Sequence, residues 1–347
     1  LQECDFAHAL CISNRKGYRP TRLVQVTGDG SQLELTESEG LEESPHYIAL
    51  SYCWGSHSGF SRSYQTTGQN LANRRISFLR EELPQALLDA IDMARLLEVP
   101  YIWIDSLCIV QDDAQDWNEQ ASKMCDVFEN AYITVAATSA RNTAEGFLAH
   151  QESHHAKTNS MNHVPYKFGP DYSVHGPIHF RFPHSPNTSA SLVESTWNSR
   201  GWILQEQVLS TRILYFLDDI MLMDCVSAPI RVEDPGYARA ATLRNPWSRR
   251  VIADITNSVA TEGNPYGDWY SLMGIYAEKK LSFPEDKLPA ISGLARKMIQ
   301  THGDFYLAGL WEGDFHRGLL WRPKDSSKMT RYAEYIAPTW SWMSICG

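Results

Sequence analysis

The sequence has no apolar run approaching the ~20 residues that span a bilayer. The greasiest stretch, Leu87 to Ile104, carries Asp89, Asp92, Arg95 and Glu98, so no membrane partner is expected. Basic patches are missing too. With 41 acidic against 31 basic residues the net charge is −10, which excludes an electrostatic nucleic-acid groove. There is no Walker loop, no GxGxxG after a strand, no GxSxG and no HExxH, so no cofactor is expected. Internal repeats and low-complexity tracts are also absent. The seven cysteines are odd in number, and Cys53, Cys108, Cys125 and Cys225 sit in apolar runs. That pattern reads as reduced thiols in a cytoplasmic protein. Cys4 and Cys11 lack the paired spacing of a zinc site, so no metal is expected. Residue 1 is Leu rather than Met, which leaves an upstream targeting segment open.

What is present is a 347-residue chain with 43% hydrophobic residues, ordinary for a globular protein and ample for a large core. Its organising stretch runs from Tyr101 to Ala137. Tyr101 to Ile104 is a short apolar strand ended by Asp105. A polar loop with Cys108, Gln111, Asp112 and Asp113 follows, and either aspartate can cap the next helix. Trp117, Ala121, Met124, Phe128 and Ala131 recur at helical spacing as one apolar face, while Glu119 and Lys123 lie on the wetter side. Tyr132 to Ala137 is a second continuous apolar strand. Upstream, YIALSY at 47–52 is a strand running into Cys53-Trp54-Gly55, and a helix begins near Pro84 and extends to about Leu97.

The order from 47 to 137 is therefore β, α, β, α, β. The fold expected is α/β: an open parallel sheet with flanking helices, plus a mixed α+β carboxyl-terminal part. The loops after Ser51, Asp105 and Ala137 then open on one edge, where such sheets bind ligands. Three regions follow: an amino-terminal extension over 1–45, with a hairpin of Arg22 to Val26 and Gln32 to Leu35; a core over 46–225; and a mixed region over 226–347 packed on that core. Residues 150–190 hold seven of the twelve histidines and read as a surface insertion rather than a metal site. Ser199 to Ser210 reads as a short helix placing Trp202 and Glu206 on one face. Arg212 to Leu217 and Ile220 to Cys225 read as a hairpin.

Three blocks resemble the fungal heterokaryon-incompatibility (HET) domain family. They are YIALSYCWG, then LPQALLDAIDMARLLEVPYIWIDSLCIVQDDAQDWNEQASKMCDVFENAYITVAA, then SRGWILQEQVLSTRILYF. The tail is similar as well, in DKLPAISGLA, LAGLW, LLW and APTWSW. The resemblance implies a role in fungal non-self recognition and regulated cell death. It also implies a core comparable with Toll/interleukin-receptor (TIR) domains, or flavodoxin-like in outline, many of which cleave NAD. There a glutamate on a helix after a sheet strand is catalytic, often near a tryptophan, and Trp117-Asn118-Glu119 is the nearest counterpart. Other family members sit in biosynthetic gene sets.

The expected substrate is accordingly NAD-like or a biosynthetic intermediate. Glu119, Glu206 and Asp105 are the catalytic candidates. Ser51, Trp54, Cys108, Gln111, Arg200 and Trp202 are the binding candidates. Each has a plainer alternative. Asp105 orients a ribose hydroxyl or caps its own loop. Glu119 and Glu206 each stabilise an oxocarbenium-like charge; otherwise Glu119 is a solvated partner of Lys123, and Glu206 a buried partner of Arg200 or Arg212. Cys108 is a nucleophile or a small buried hydrophobe. The competing functions are an NAD glycohydrolase, a cyclase or hydrolase of secondary metabolism, and a non-catalytic death-signalling module. A homo-oligomer is left open.

Overall fold

In a computed structural model, residues 1–13, 17–41, 44–55, 63–148, 163–168, 174–179, 192–218, 220–232 and 264–346 are described. Two short helices, α1 (Gln2–Phe6) and α2 (Ala9–Ser13), precede the first hairpin, β1 (Arg22–Val26) and β2 (Gln32–Glu37). Then come β3 (Tyr47–Ser51), α3 (Leu71–Arg74), β4 (Phe78–Leu79), α4 (Gln85–Leu96), β5 (Tyr101–Trp103), the single turn α5 (Asp105–Cys108), α6 (Ala114–Asn130) and β6 (Ile133–Ala136). The later elements are β7 (His163–Phe168), β8 (Val174–His179), α7 (Gly201–Leu209), β9 (Arg212–Phe216), β10 (Met221–Cys225), β11 (Ala228–Val232), α8 (Pro265–Ala277) and α9 (Pro289–His302).

Nine strands form one sheet in the order β11-β10-β9-β6-β3-β5-β1-β2-β4. The three strands expected around the organising stretch are neighbours and parallel: β3 pairs with β5 on one side and β6 on the other. β9 continues this parallel centre. The open parallel sheet expected is present only at the centre, because both wings are antiparallel. β1 pairs antiparallel with β5 and β2, and β10 antiparallel with β9 and β11. The cause is local. A tight hairpin can only return antiparallel. The Gly28-Asp29-Gly30 turn, with both glycines at positive φ (55° and 75°), fixes one such return. The result is a mixed sheet with flanking helices.

Strand β3 is buried at every position, as expected of a strand covered on both faces. Its side chains alternate, so Tyr47, Ala49 and Ser51 share one face. Tyr47 donates its hydroxyl to the Val127 carbonyl on α6 at 2.7 Å, which identifies that face as the one under α6. Asp113 caps α6 by accepting from the Gln115 and Asp116 amides. Met124 and Phe128 on α6 are buried as the helical spacing requires, whereas Trp117 is only half-buried. Phe128 meets Trp103 edge-on, with ring centroids 5.7 Å apart.

The carboxyl-terminal helices pack on this core. α9 lies against α6 and α7. Gly293 marks the closest approach: a Cβ there would stand 2.3 Å from the Cys125 Cβ and 2.6 Å from Gln205 Oε1. The Gly293 amide donates to that same Gln205 oxygen at 2.9 Å. Of the His-rich tract, β7 and β8 form a separate two-stranded antiparallel sheet. The rest of the tract lies outside the described residues, as do 233–263. No helix among the described residues is long and apolar enough to cross a membrane.

Candidate functional site

The chain leaves β3 toward β5 but leaves β6 in the opposite direction, toward β9. The switch point of the parallel strands therefore lies between the carboxyl ends of β3 and β6, the place where open α/β sheets form a ligand crevice. Ser51 is the last residue of β3 and pairs with Ala136 at the end of β6. Its hydroxyl donates to the Glu206 carboxylate, and Trp197 donates its indole N–H to the Ser51 oxygen at 2.8 Å. Glu206 comes from α7, which packs beside α6 on the same face of the sheet. α7 is held there from below, since Ser210 Oγ lies 2.7 Å from Thr134 Oγ1 on β6.

Glu206 is 4% exposed. Burial pushes its carboxyl up to about 7, against the opposing pull of the Arg200 charge and the Ser51 hydroxyl. At neutral pH it therefore exchanges between acid and carboxylate. Arg200, at the amino-terminal cap of α7, donates to the Tyr52 carbonyl and supplies the nearby positive charge.

Asp105 stands just past the carboxyl end of β5, the strand beside β3. The Trp54 indole N–H donates to its Oδ2 at 2.9 Å, Tyr52 to its Oδ1 at 2.8 Å, and the Ser106 amide to Oδ1 at 2.7 Å. The last bond is local loop capping, so Asp105 does that work and also ties the Trp54 loop to the loop after β5. Burial raises its carboxyl above the usual range, partly offset by the Tyr52 hydrogen bond. Gln111 points its amide at the Asp105 and Ile109 carbonyls, 3.0 Å from each, and so braces the loop.

Separated blocks thus converge: Ser51 to Trp54, Asp105 to Gln111, and Arg200 to Glu206. Glu119 does not join them. Its carboxylate pairs with Lys123 on the exposed side of α6. Cys108 is 1% exposed, and burial pushes its thiol up to about 12, which withholds the thiolate a nucleophile needs. Trp202 meets Trp117 edge-on at 6.3 Å and donates to Asp286 at 3.1 Å, so it links α7 to the carboxyl-terminal part. Arg212 is engaged elsewhere, with Asp5, and leaves Arg200 as the cation acting on Glu206.

Sequence reasoning missed Tyr52 and Trp197. Both flank recognised blocks, Tyr52 inside YIALSY and Trp197 three residues before Arg200, but an aromatic beside an apolar strand reads first as core. It also set Cys4 and Cys11 aside on spacing. The fold brings them together with His8 and with Cys225, more than two hundred residues later in the chain.

The fold is that of an α/β protein, with a cluster of buried polar side chains at the switch point of its sheet. Residues 47–206 match the family described as Heterokaryon incompatibility protein (HET). All nine candidate residues fall inside the matched segment. A stretch of 97 residues is 33% identical to Heterokaryon incompatibility protein 6, OR allele, of Neurospora crassa, covering 26% of this chain and 14% of that protein. No solved structure matches the chain.

Proposed function

We propose that the switch point of the sheet forms a crevice that is a catalytic site for a polar small molecule that develops positive charge as it reacts, with cleavage of the C–N glycosidic bond of NAD as the reaction. The observation that carries this reading is Glu206: a buried carboxyl poised near neutrality, hydrogen-bonded to Ser51 at the carboxyl end of a central strand. As a carboxylate it offsets an oxocarbenium-like charge, and the surrounding burial makes that interaction strong. Arg200 holds substrate phosphate or sets the charge of Glu206, Trp54 offers an aromatic face at the mouth, and Asp105 receives a ribose hydroxyl. Glu119, paired on the surface, has no catalytic part in this scheme. A kinship of the core with TIR domains belongs to the same proposal, as does a role in heterokaryon incompatibility, the process for which the Neurospora relative is named.

The test is nicotinamide release from NAD by purified protein, at high concentration and with a crowding agent. Glu206→Gln keeps shape and removes charge, and loses on the order of 10²–10³ in rate, the scale of one preorganised electrostatic group. Glu119→Gln keeps the wild-type rate. No release by the wild type under any condition ends the NAD reading in favour of a biosynthetic substrate or a death-signalling scaffold. Equal rates for both variants leave the activity and remove the site.

A further inference from the structure

Outside the matched segment, four side chains meet beside β10, one strand in from an edge of the sheet. Cys4 lies on α1, His8 between α1 and α2, Cys11 on α2, and Cys225 at the end of β10. Their sulfur and nitrogen atoms all lie within 4.8 Å of one another. His8 Nδ1 is 3.5 Å from Cys225 Sγ and 3.8 Å from Cys11 Sγ. A tetrahedral zinc ion with Zn–S of about 2.3 Å and Zn–N of about 2.0–2.1 Å has edges of about 3.6 Å (N to S) and about 3.8 Å (S to S). The cluster has the donor types of that tetrahedron, and the two distances from His8 match its edges. All three cysteines are buried, and Met223, Val226 and Ala228 pack around them.

We infer that Cys4, His8, Cys11 and Cys225 bind a structural zinc ion that rivets the amino-terminal helices to β10. Four protein ligands close the shell and leave no position for a water, so the site is structural rather than hydrolytic. Arg212 supplies a nearby positive charge, which it shares with Asp5. Three thiolates and one divalent cation carry a net charge of −1. The buried Arg212 guanidinium acts electrostatically on Cys4 and Cys11. One of its nitrogens holds Asp5 at 2.7 Å, while Nε and Nη1 have no hydrogen-bond partner. A buried guanidinium that is only partly satisfied calls for an anionic neighbour, which a Cys₃His zinc centre provides. The local Cys-x₃-His-x₂-Cys arm supplies three ligands from one helical hairpin, and the fourth comes from the sheet. Metal binding would therefore couple directly to the docking of residues 1–13.

The experiment uses the untagged full chain, expressed with added zinc and dialysed into metal-free buffer. Elemental analysis finds about one zinc per chain. Replacement by Co(II) gives the thiolate-to-metal charge-transfer and strong visible bands of a tetrahedral thiolate site. Cys225→Ser and His8→Ala lower metal content at least tenfold, while Cys108→Ser retains it. A chelator lowers the unfolding midpoint of the wild type but not of Cys225→Ser. Should either variant fail to fold, Co(II) titration of the wild type decides alone. Folded wild type that takes up neither metal overturns the inference. So does a disulfide between Cys11 and Cys225 in the mass spectrum, or metal uptake that survives both substitutions.

Discussion

Replacing Glu206 by Gln tests the electrostatics of the crevice without reference to any substrate. The carboxyl rises from its ordinary value of 4.5 to about 7 on folding. The folded protein therefore holds a proton that the unfolded chain has released between these two values. Where the native state binds more protons than the unfolded state, stability falls as pH rises. The contribution of Glu206 is fully favourable below 4.5, is lost as pH climbs toward 7, and stays lost above. At 1.36 kcal/mol per pH unit the loss is about 3 kcal/mol. Glutamine does not titrate. Its amide oxygen still accepts from Ser51, while its NH₂ group adds a constant offset, because an unpaired buried donor costs about 1–3 kcal/mol at every pH. The informative quantity is hence the change with pH in the difference between variant and wild type. Urea unfolding at a series of pH values from about 4 to about 8 should show the variant gaining about 3 kcal/mol on the wild type across that range. A difference that stays flat would mean that Glu206 titrates at its ordinary value, and the argument from burial would fail. In the nicotinamide assay, the wild-type rate should carry an inflection near 7 that Glu206→Gln lacks.

Phe128→Ala, which empties the site against Trp103 under the sheet, should cost ~3–5 kcal/mol in chemical unfolding, and a loss below about 1 kcal/mol would refute its place in the core. Gly293→Ala drives a methyl into Cys125 and the Gln205 amide, so it should destabilise by at least the ~1–3 kcal/mol typical of overpacking; an unchanged midpoint would show that α9 does not approach α6 this closely. Excising the His-rich tract over 150–190 should leave the unfolding midpoint nearly unchanged, since its described strands β7 and β8 pair only with each other; loss of soluble protein would mean that the tract packs into the core.

The sequence by itself determined the centre of the fold. Continuous apolar runs at 47–52, 101–104 and 132–137, separated by helical periodicity, admit little but parallel strands covered on both faces, and the structure has them adjacent. It determined both hairpins too, since the glycines of the first turn and the aspartates of the second are short-range signals. It did not determine that those hairpins extend the same sheet. That depends on which edge hydrogen bonds are left to satisfy once the centre has formed, which no local pattern encodes. The same divide runs through the site. Ser51, Trp54 and Asp105 were legible because each ends or follows a strand, and strand ends share an edge by topology. Glu119 and Glu206 were indistinguishable as letters. Only the packing of α7 beside α6 put one against Ser51 at the end of β3 and left the other in solvent beside Lys123. Cys225 is the extreme case. Spacing rules see ligands on one turn or one hairpin, and the residue that completes the Cys4, His8 and Cys11 cluster is delivered by β10, a late strand near one edge of a nine-stranded sheet.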